Sequence, residues 1–163
     1  MIFVTVGTQL SFDRLVQMAD EWAGLHPQEQ VFVQSGISCF MPKHCESTPF
    51  TSPDEWERLF QSANRIISHA GMGTIIKSLE FAKPLVVVPR KASLGEHRND
   101  HQRATAARFS DFENVTIVDD APGLARALSA SSVSAQAGGD DPLIRPNLEM
   151  LISEIRRFAH DTS

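Results

Sequence analysis

Residues 68–80 read Ser-His-Ala-Gly-Met-Gly-Thr-Ile-Ile-Lys-Ser-Leu-Glu, a turn of small residues running into a helical pattern. Gly71 and Gly73 let backbone N–H groups come close to a phosphate, and a helix start adds partial positive charge at the same place. His69 precedes the turn as a hydrogen-bonding group, with Met72 and Thr74 completing it. Glu80, about two turns further on, offers a bidentate acceptor for two neighbouring hydroxyls such as those of a ribose. Phosphate at one end and a sugar diol at the other describe a nucleotide site.

Two commoner glycine motifs do not fit. Gly71 to Ser78 nearly spells the phosphate loop G-x-x-x-x-G-K-[ST], but Ile76 stands at the second glycine. A β-branched residue there suits a helix and not a loop wrapped around phosphates. The dinucleotide fingerprint G-x-G-x-x-G also fails at Ile76, and it lies far from the first strand pattern.

Plainer readings of the same residues stand beside this one. His69 can be a structural histidine, Gly71 and Gly73 a tight turn, and Glu80 a solvated partner of Lys77 or Lys83. His97 and His101 fall one helical turn apart, without the carboxylate of a zinc-protease motif. Cys39, His44 and Cys45 lack the spacing of a structural zinc site, so no metal site is expected. Arg90, Lys91 and Arg98 either decorate a loop or meet phosphate or an acidic sugar.

The elements that must position these groups follow from the apolar pattern. Residues 2–6, 31–34, 65–68, 85–88 and 115–118 read as strands. Apolar residues at 12, 15, 16, 19 and 22 share one helical face. Ser52-Pro53-Asp54-Glu55 is a capping box opening a helix to about residue 63. Further helices are expected from the glycine turn to Lys83-Pro84, around 98–109 and over 122–129, with a long loop from 35 to 52. Strand–helix alternation predicts an α/β fold, a Rossmann-like parallel sheet with helices on both faces. Ligands of such sheets bind beyond the carboxyl ends of the strands. Gly7-Thr8, Gly36-Ile37, His69 to Thr74 and the loop after Val88 all fall on that edge.

Residues 1–129 form the expected nucleotide-sugar domain. Residues 130–141 read as a flexible linker, and 142–163 as an amphipathic helix that joins the same domain or docks a partner. With 163 residues, 42% of them hydrophobic and 21% charged, one globular domain is expected. A formal charge of −5 argues against a nucleic-acid binder acting through its overall field. No apolar run reaches the roughly 20 residues that span a bilayer. The first residues read as a strand and not a signal peptide, and two isolated cysteines suit a cytoplasmic protein.

Three separated pieces share one pattern: Val-Thr-Val-Gly-Thr (4–8), Ser-His-Ala-Gly-Met-Gly-Thr with Glu80 and Lys83-Pro84, and Glu-His-Arg-Asn-Asp-His-Gln (96–102). Over residues 1–125 the chain resembles the donor-binding C-terminal half of family 28 glycosyltransferases of the GT-B fold. It looks most like the small subunits of two-component transferases, of the dolichol-linked and the bacterial exopolysaccharide or capsule types. The resemblance implies that His69, Gly71, Met72, Gly73 and Thr74 hold the phosphates of a UDP-sugar, and Glu80 its ribose. It places Gly36 and Ile37 against uracil, Asn99, Asp100, His101 and Gln102 at the sugar and diphosphate, and Gly7 and Thr8 beside the cleft. His69 and His101 are the candidate catalytic residues, with His97 or the partner as other sources of a base.

The implied activity is metal-independent transfer of a hexose-type sugar, needing no cofactor, to a lipid-linked saccharide in exopolysaccharide or capsule synthesis. It also implies a membrane-anchored acceptor-binding subunit that completes the GT-B fold and recruits this cytoplasmic chain to the inner face of the membrane. The alternatives are a UDP-sugar-binding regulatory module without catalysis and a stand-alone UDP-sugar hydrolase or epimerase.

Overall fold

The structure is a computed structural model and describes residues 1–130. The expected linker at 130–141 lies outside the described residues apart from its first position, and the expected helix at 142–163 lies wholly outside them. Six strands form one parallel sheet: β1 (Ile2–Thr5), β2 (Val31–Gln34), β3 (Glu46–Thr48), β4 (Arg65–Ser68), β5 (Leu85–Val87) and β6 (Val115–Ile117). Their spatial order is β3-β2-β1-β4-β5-β6. The connecting helices are α1 (Asp13–Leu25), α2 (Pro53–Ser62), α3 (Met72–Glu80), α4 (His101–Arg108) and α5 (Ala121–Ser129), with a single 3-10 turn at Ala92–Leu94.

The parallel sheet is covered on both sides because neighbouring strand residues point to opposite faces. Ile2 and Val4 of β1 join Leu15, Val16 and Ala19 of α1 and Leu124 of α5 in one core. Phe3, between them, enters a second core with Leu59 and Phe60 of α2, Ile75 and Leu79 of α3 and Ala106 of α4. Complete burial of Phe3 is worth about 2–3 kcal/mol. Two-sided burial explains why β5 reads as an unbroken apolar run.

Local signals set the helix starts. Ser52 Oγ accepts from Glu55 N at 3.2 Å, and Asp120 Oδ1 accepts from Gly123 N at 2.7 Å. At the far end of α3 the chain turns through Ala82 in the left-handed region, φ 47°.

Two expectations need correction. The stretch from 35 to 52 is not all loop, because Glu46–Thr48 pairs with Phe32–Gln34 as an edge strand. That strand carries no apolar residue, so periodicity does not reveal it. The helix expected from 98 begins at His101, since the preceding residues turn back toward the 3-10 turn and Asp100 Oδ1 accepts from Ala92 N at 2.9 Å. Among the described residues no helix is long and apolar enough to cross a membrane.

Candidate functional site

The connection after β1 runs through α1 on one side of the sheet and the connection after β4 through α3 on the other, so the order reverses between β1 and β4. The loops after these two strands diverge there and leave a crevice. Two adjoining cavities occupy it and share Gly7 and Thr8. The first, about 440 Å³, lies between the N-terminal ends of α2 and α3 and is lined by Thr5, Gln34, Trp56, Gly73, Thr74 and Lys77 among others. The second, about 280 Å³, is lined by Gln9, Leu10, His69, Arg90, His97 and Gln102. A larger cavity of about 560 Å³ opens at the opposite edge, beside Ile2, Arg65 and Pro84 at the strand starts. It is remote from the glycine turn.

The turn before α3 is built around an imidazole. A Cβ on Gly7 would stand 2.9 Å from His69 Cε1, and one on Gly71 would stand 2.8 Å from the same atom. The ring therefore lies against two bare backbones, and Gly7 additionally holds a φ of 79°. Around Gly73 the space is open. Gly71 caps α3 without a side-chain hydrogen bond, so the first N–H groups of this helix are free to meet an anion. Burial, and then the positive charge of Arg90, push His69 down from 6.5 to about 4. The imidazole is neutral at pH 7, and the Thr5 backbone beside the buried ring only partly offsets that downward push.

Arg90 does not decorate a loop. It is 2% exposed, and its guanidinium donates to the carbonyls of Val6 at 2.8 Å and Leu10 at 2.9 Å, and also to Ser11 and Glu96. It lies 4.5 Å from the centroid of the Phe12 ring. Glu96 in turn receives Arg14 through two bonds, of 2.6 and 2.9 Å, and Lys91 N at 2.8 Å. These charges fasten the loop carrying Gly7 and Thr8 to the loop carrying His97.

Of the residues singled out in the sequence, the structure brings together Gly7, Thr8, His69, Gly71, Gly73, Thr74 and Gln102. Gln102 is buried, its Oε1 accepting from Arg90 N at 3.2 Å. Arg90 and His97 line the second cavity with them, whereas Met72, Gly36, Ile37, Asn99, Asp100, His101 and Glu80 line neither cavity. Met72 packs on the second core, and Gly36 is buried where a Cβ would meet Gly7 O at 2.6 Å. Ile37 is 51% exposed. Asn99, Asp100 and His101 are exposed, with Asn99 Oδ1 bonded to the His101 ring. Glu80 is exposed at the last position of α3, one turn beyond Lys77.

Gln34, Trp56 and Lys77 line the first cavity and were not singled out. Gln34 is 2% exposed, accepts from Thr5 Oγ1 at 2.7 Å and donates to Gly7 O and Pro49 O. A glutamine ending a buried strand is the one feature of the sequence that could have revealed it. Trp56 and Lys77 became neighbours only through the packing of α2 on α3.

Comparison with known proteins gives this crevice a setting. Residues 1–121 match the glycosyltransferase family 28 C-terminal domain. The UDP-N-acetylglucosamine transferase subunit ALG13 of Homo sapiens is 28% identical over 145 residues, 83% of this chain and 13% of that protein. Its Mus musculus counterpart is 35% identical over 106 residues, 59% of this chain and 9% of that protein. The chain thus spans a small part of the curated relatives it matches. Among solved structures, the glycotransferase of kitacinnamycin superposes with a TM-score of 0.63 at 20% identity, over 96% of this chain and 39% of that one. The calicheamicin glycosyltransferase CalG4 gives 0.59 at 14% identity, over 91% and 37%. These two likenesses establish the fold. With three quarters of its length matched, the chain belongs to the glycosyltransferase family 28 C-terminal domain family.

Proposed function

We propose that this chain is the donor-binding subunit of a two-component transferase that moves a hexose-type sugar from a UDP-sugar to a saccharide acceptor. The observation that carries the reading is the uncapped start of α3 opening onto the cavity lined by Gly73 and Thr74, at the point where strand order reverses. Backbone N–H groups there meet the diphosphate, and the cavity wall at Trp56 takes the nucleoside. The likeness to ALG13, a UDP-N-acetylglucosamine transferase subunit, supports both the donor class and the need for a partner.

In the reaction an acceptor hydroxyl oxygen bonds to the anomeric carbon while the bond from that carbon to the diphosphate oxygen breaks. Both electrons of the broken bond leave with UDP, and the hydroxyl proton passes to a base. The new negative charge on UDP falls at the start of α3, and preorganised donors of this kind are worth about 3 kcal/mol each. His69, neutral at pH 7, serves there as a hydrogen-bond donor, because an imidazole held near 4 is a poor proton acceptor. The base comes from His97 in the second cavity or from the partner.

The reading includes a membrane-anchored partner that carries the acceptor site and a lipid-linked saccharide of exopolysaccharide or capsule type. It places the chain at the cytoplasmic face of the membrane. Leu10, Ile37, Phe50 and Leu94, 38–58% exposed, lie on the loops after β1, β2, β3 and β5, at the same sheet edge as the crevice, which supports a protein surface covering that edge. No metal enters the scheme, so a chelator should leave turnover unchanged.

The test has two parts. Titration of the purified chain with UDP should show binding, and mixing it with a co-encoded membrane protein should produce sugar transfer that neither component gives alone. UDP binding without turnover in the mixture would support a sensing module instead. UDP released by the chain alone would support a hydrolase.

A further inference from the structure

Beneath the first cavity lies a buried amide that the scheme above leaves without a task. Gln34 ends β2 in register between Thr5 of β1 and Thr48 of β3, and it lines the cavity with Thr5. Its Nε2 donates to Gly7 O at 3.2 Å and to Pro49 O at 2.9 Å, and its Oε1 accepts from Thr5 Oγ1 at 2.7 Å. Both carbonyls can only accept, so they fix which way the amide faces. The Thr5 hydroxyl, donating to Gln34, turns its lone pairs to Trp56 Nε1 at 3.5 Å, the longest contact of the set.

Those bonds use both amide protons, and the residue is buried, so Gln34 has no donor left for a ligand. Its influence runs through what it grips. On one side, Gly7 is the bare backbone lying against His69, which precedes the glycine turn. On the other, Pro49 leads into α2, which carries Trp56 three residues past its start. One amide therefore joins the backbone behind the phosphate turn to the backbone that places the Trp56 wall. Leucine of similar bulk would leave both carbonyls without a donor, and a buried network satisfied at every member holds one geometry.

We propose that Gln34 is a positioning residue for the nucleotide: by tying the loops after β1 and β3 together, it sets the spacing between the turn that meets the diphosphate and the wall that meets the nucleoside. The inference rests on the nucleotide reading of the crevice given above. Two half-sites at the right separation act as one, because the second contact forms at high effective concentration. When the separation drifts, each half still binds its own fragment while the linked ligand loses its advantage.

The experiment titrates the full chain with UDP, uridine and inorganic pyrophosphate. Gln34→Leu should lower UDP affinity about ten- to a hundred-fold, the scale of two hydrogen bonds between neutral groups. Uridine alone and pyrophosphate alone should each weaken by no more than about threefold. Thr5→Val keeps the shape and removes the hydroxyl between Gln34 and Trp56. It should give the same split with a smaller loss, so the test survives if Gln34→Leu does not fold.

UDP affinity equal to the parent's in the variants that fold would overturn the inference. Equal losses of all three ligands would do the same, for they mean a site loosened throughout and not two halves moved apart. A loss shared by UDP and one fragment would make Gln34 a direct contact for that fragment, with the same consequence. UDP binding by a parent that holds neither fragment would deny the two half-sites. No UDP binding by the parent would instead remove the nucleotide reading itself.

Discussion

A Cβ on Gly71 would fall within 2.8 Å of the His69 imidazole, so the ring fills the space that any other side chain at 71 would need. Gly71→Ala should therefore displace the ring or the turn, costing about 1–3 kcal/mol of stability, and weaken UDP binding with it. Gly73, where a Cβ meets open space, is the control: Gly73→Ala should leave stability unchanged or raise it by up to about 1 kcal/mol. Urea unfolding of both variants checks this. A Gly71→Ala protein as stable as its parent would contradict the packing described. Loss of UDP affinity in a fully stable Gly73→Ala protein would mark the path of the ligand's closest approach.

His69 should make stability depend on acid. Its ordinary value is 6.5 and its folded value about 4, so between these pH values the unfolded chain takes up a proton that the folded chain refuses. The sign follows: this contribution is fully present above pH 6.5 and is lost as pH falls toward 4, by on the order of 3 kcal/mol. Unfolding free energies measured across that window should fall less steeply for His69→Asn than for the parent. Identical slopes would mean that the imidazole is as hydrated folded as unfolded.

Arg90 should behave as a structural clamp and not as a ligand for an acidic sugar. Arg90→Met strands the carbonyls of Val6, Leu10 and Ser11 and should cost about 3 kcal/mol. Arg90→Lys should recover less than half of that, because a point ammonium cannot span the same fork of acceptors. Denaturant midpoints decide the matter. Full recovery with lysine would show that charge alone suffices.

Ala82 sits at φ 47°, where a Cβ is strained and glycine is not. Ala82→Gly should stabilise the protein by about 1 kcal/mol, after allowing for the added freedom of the unfolded chain. A thermal melt with a lower midpoint than the parent would count against it.

Much of the frame was legible because two-sided burial writes itself plainly. Phe3, Ile66, Ile67 and Val86 can only belong to covered strands, and Ser52-Pro53 announces a helix in any context. The crevice was legible in outline, since glycine turns after parallel strands converge by topology. Details that depend on distant packing were not. Nothing near Arg90 in the sequence says that the carbonyls of residues 6–11 will surround it. Lys77 and Glu80 share a helical stripe with Gly73, and periodicity alone cannot choose between them. Glu80 lies about 10 Å beyond Gly73, at the exposed end of α3, whereas Lys77 lines the first cavity. The edge strand at Glu46–Thr48 stayed hidden because an edge needs hydrogen bonds from one neighbour and little apolar surface.

The central position of β1 has a consequence for how the molecule is made. Its neighbours are Val31–Gln34 and Arg65–Ser68, so this strand waits for the ribosome to pass Ser68 before both its edges are satisfied. Until then Ile2, Phe3 and Val4 travel on an unfinished nascent chain. Parallel pairing across such separations is slow and leaves sticky intermediates. Chaperones that hold this stretch until Arg65–Ser68 has been made should accordingly raise the folded yield.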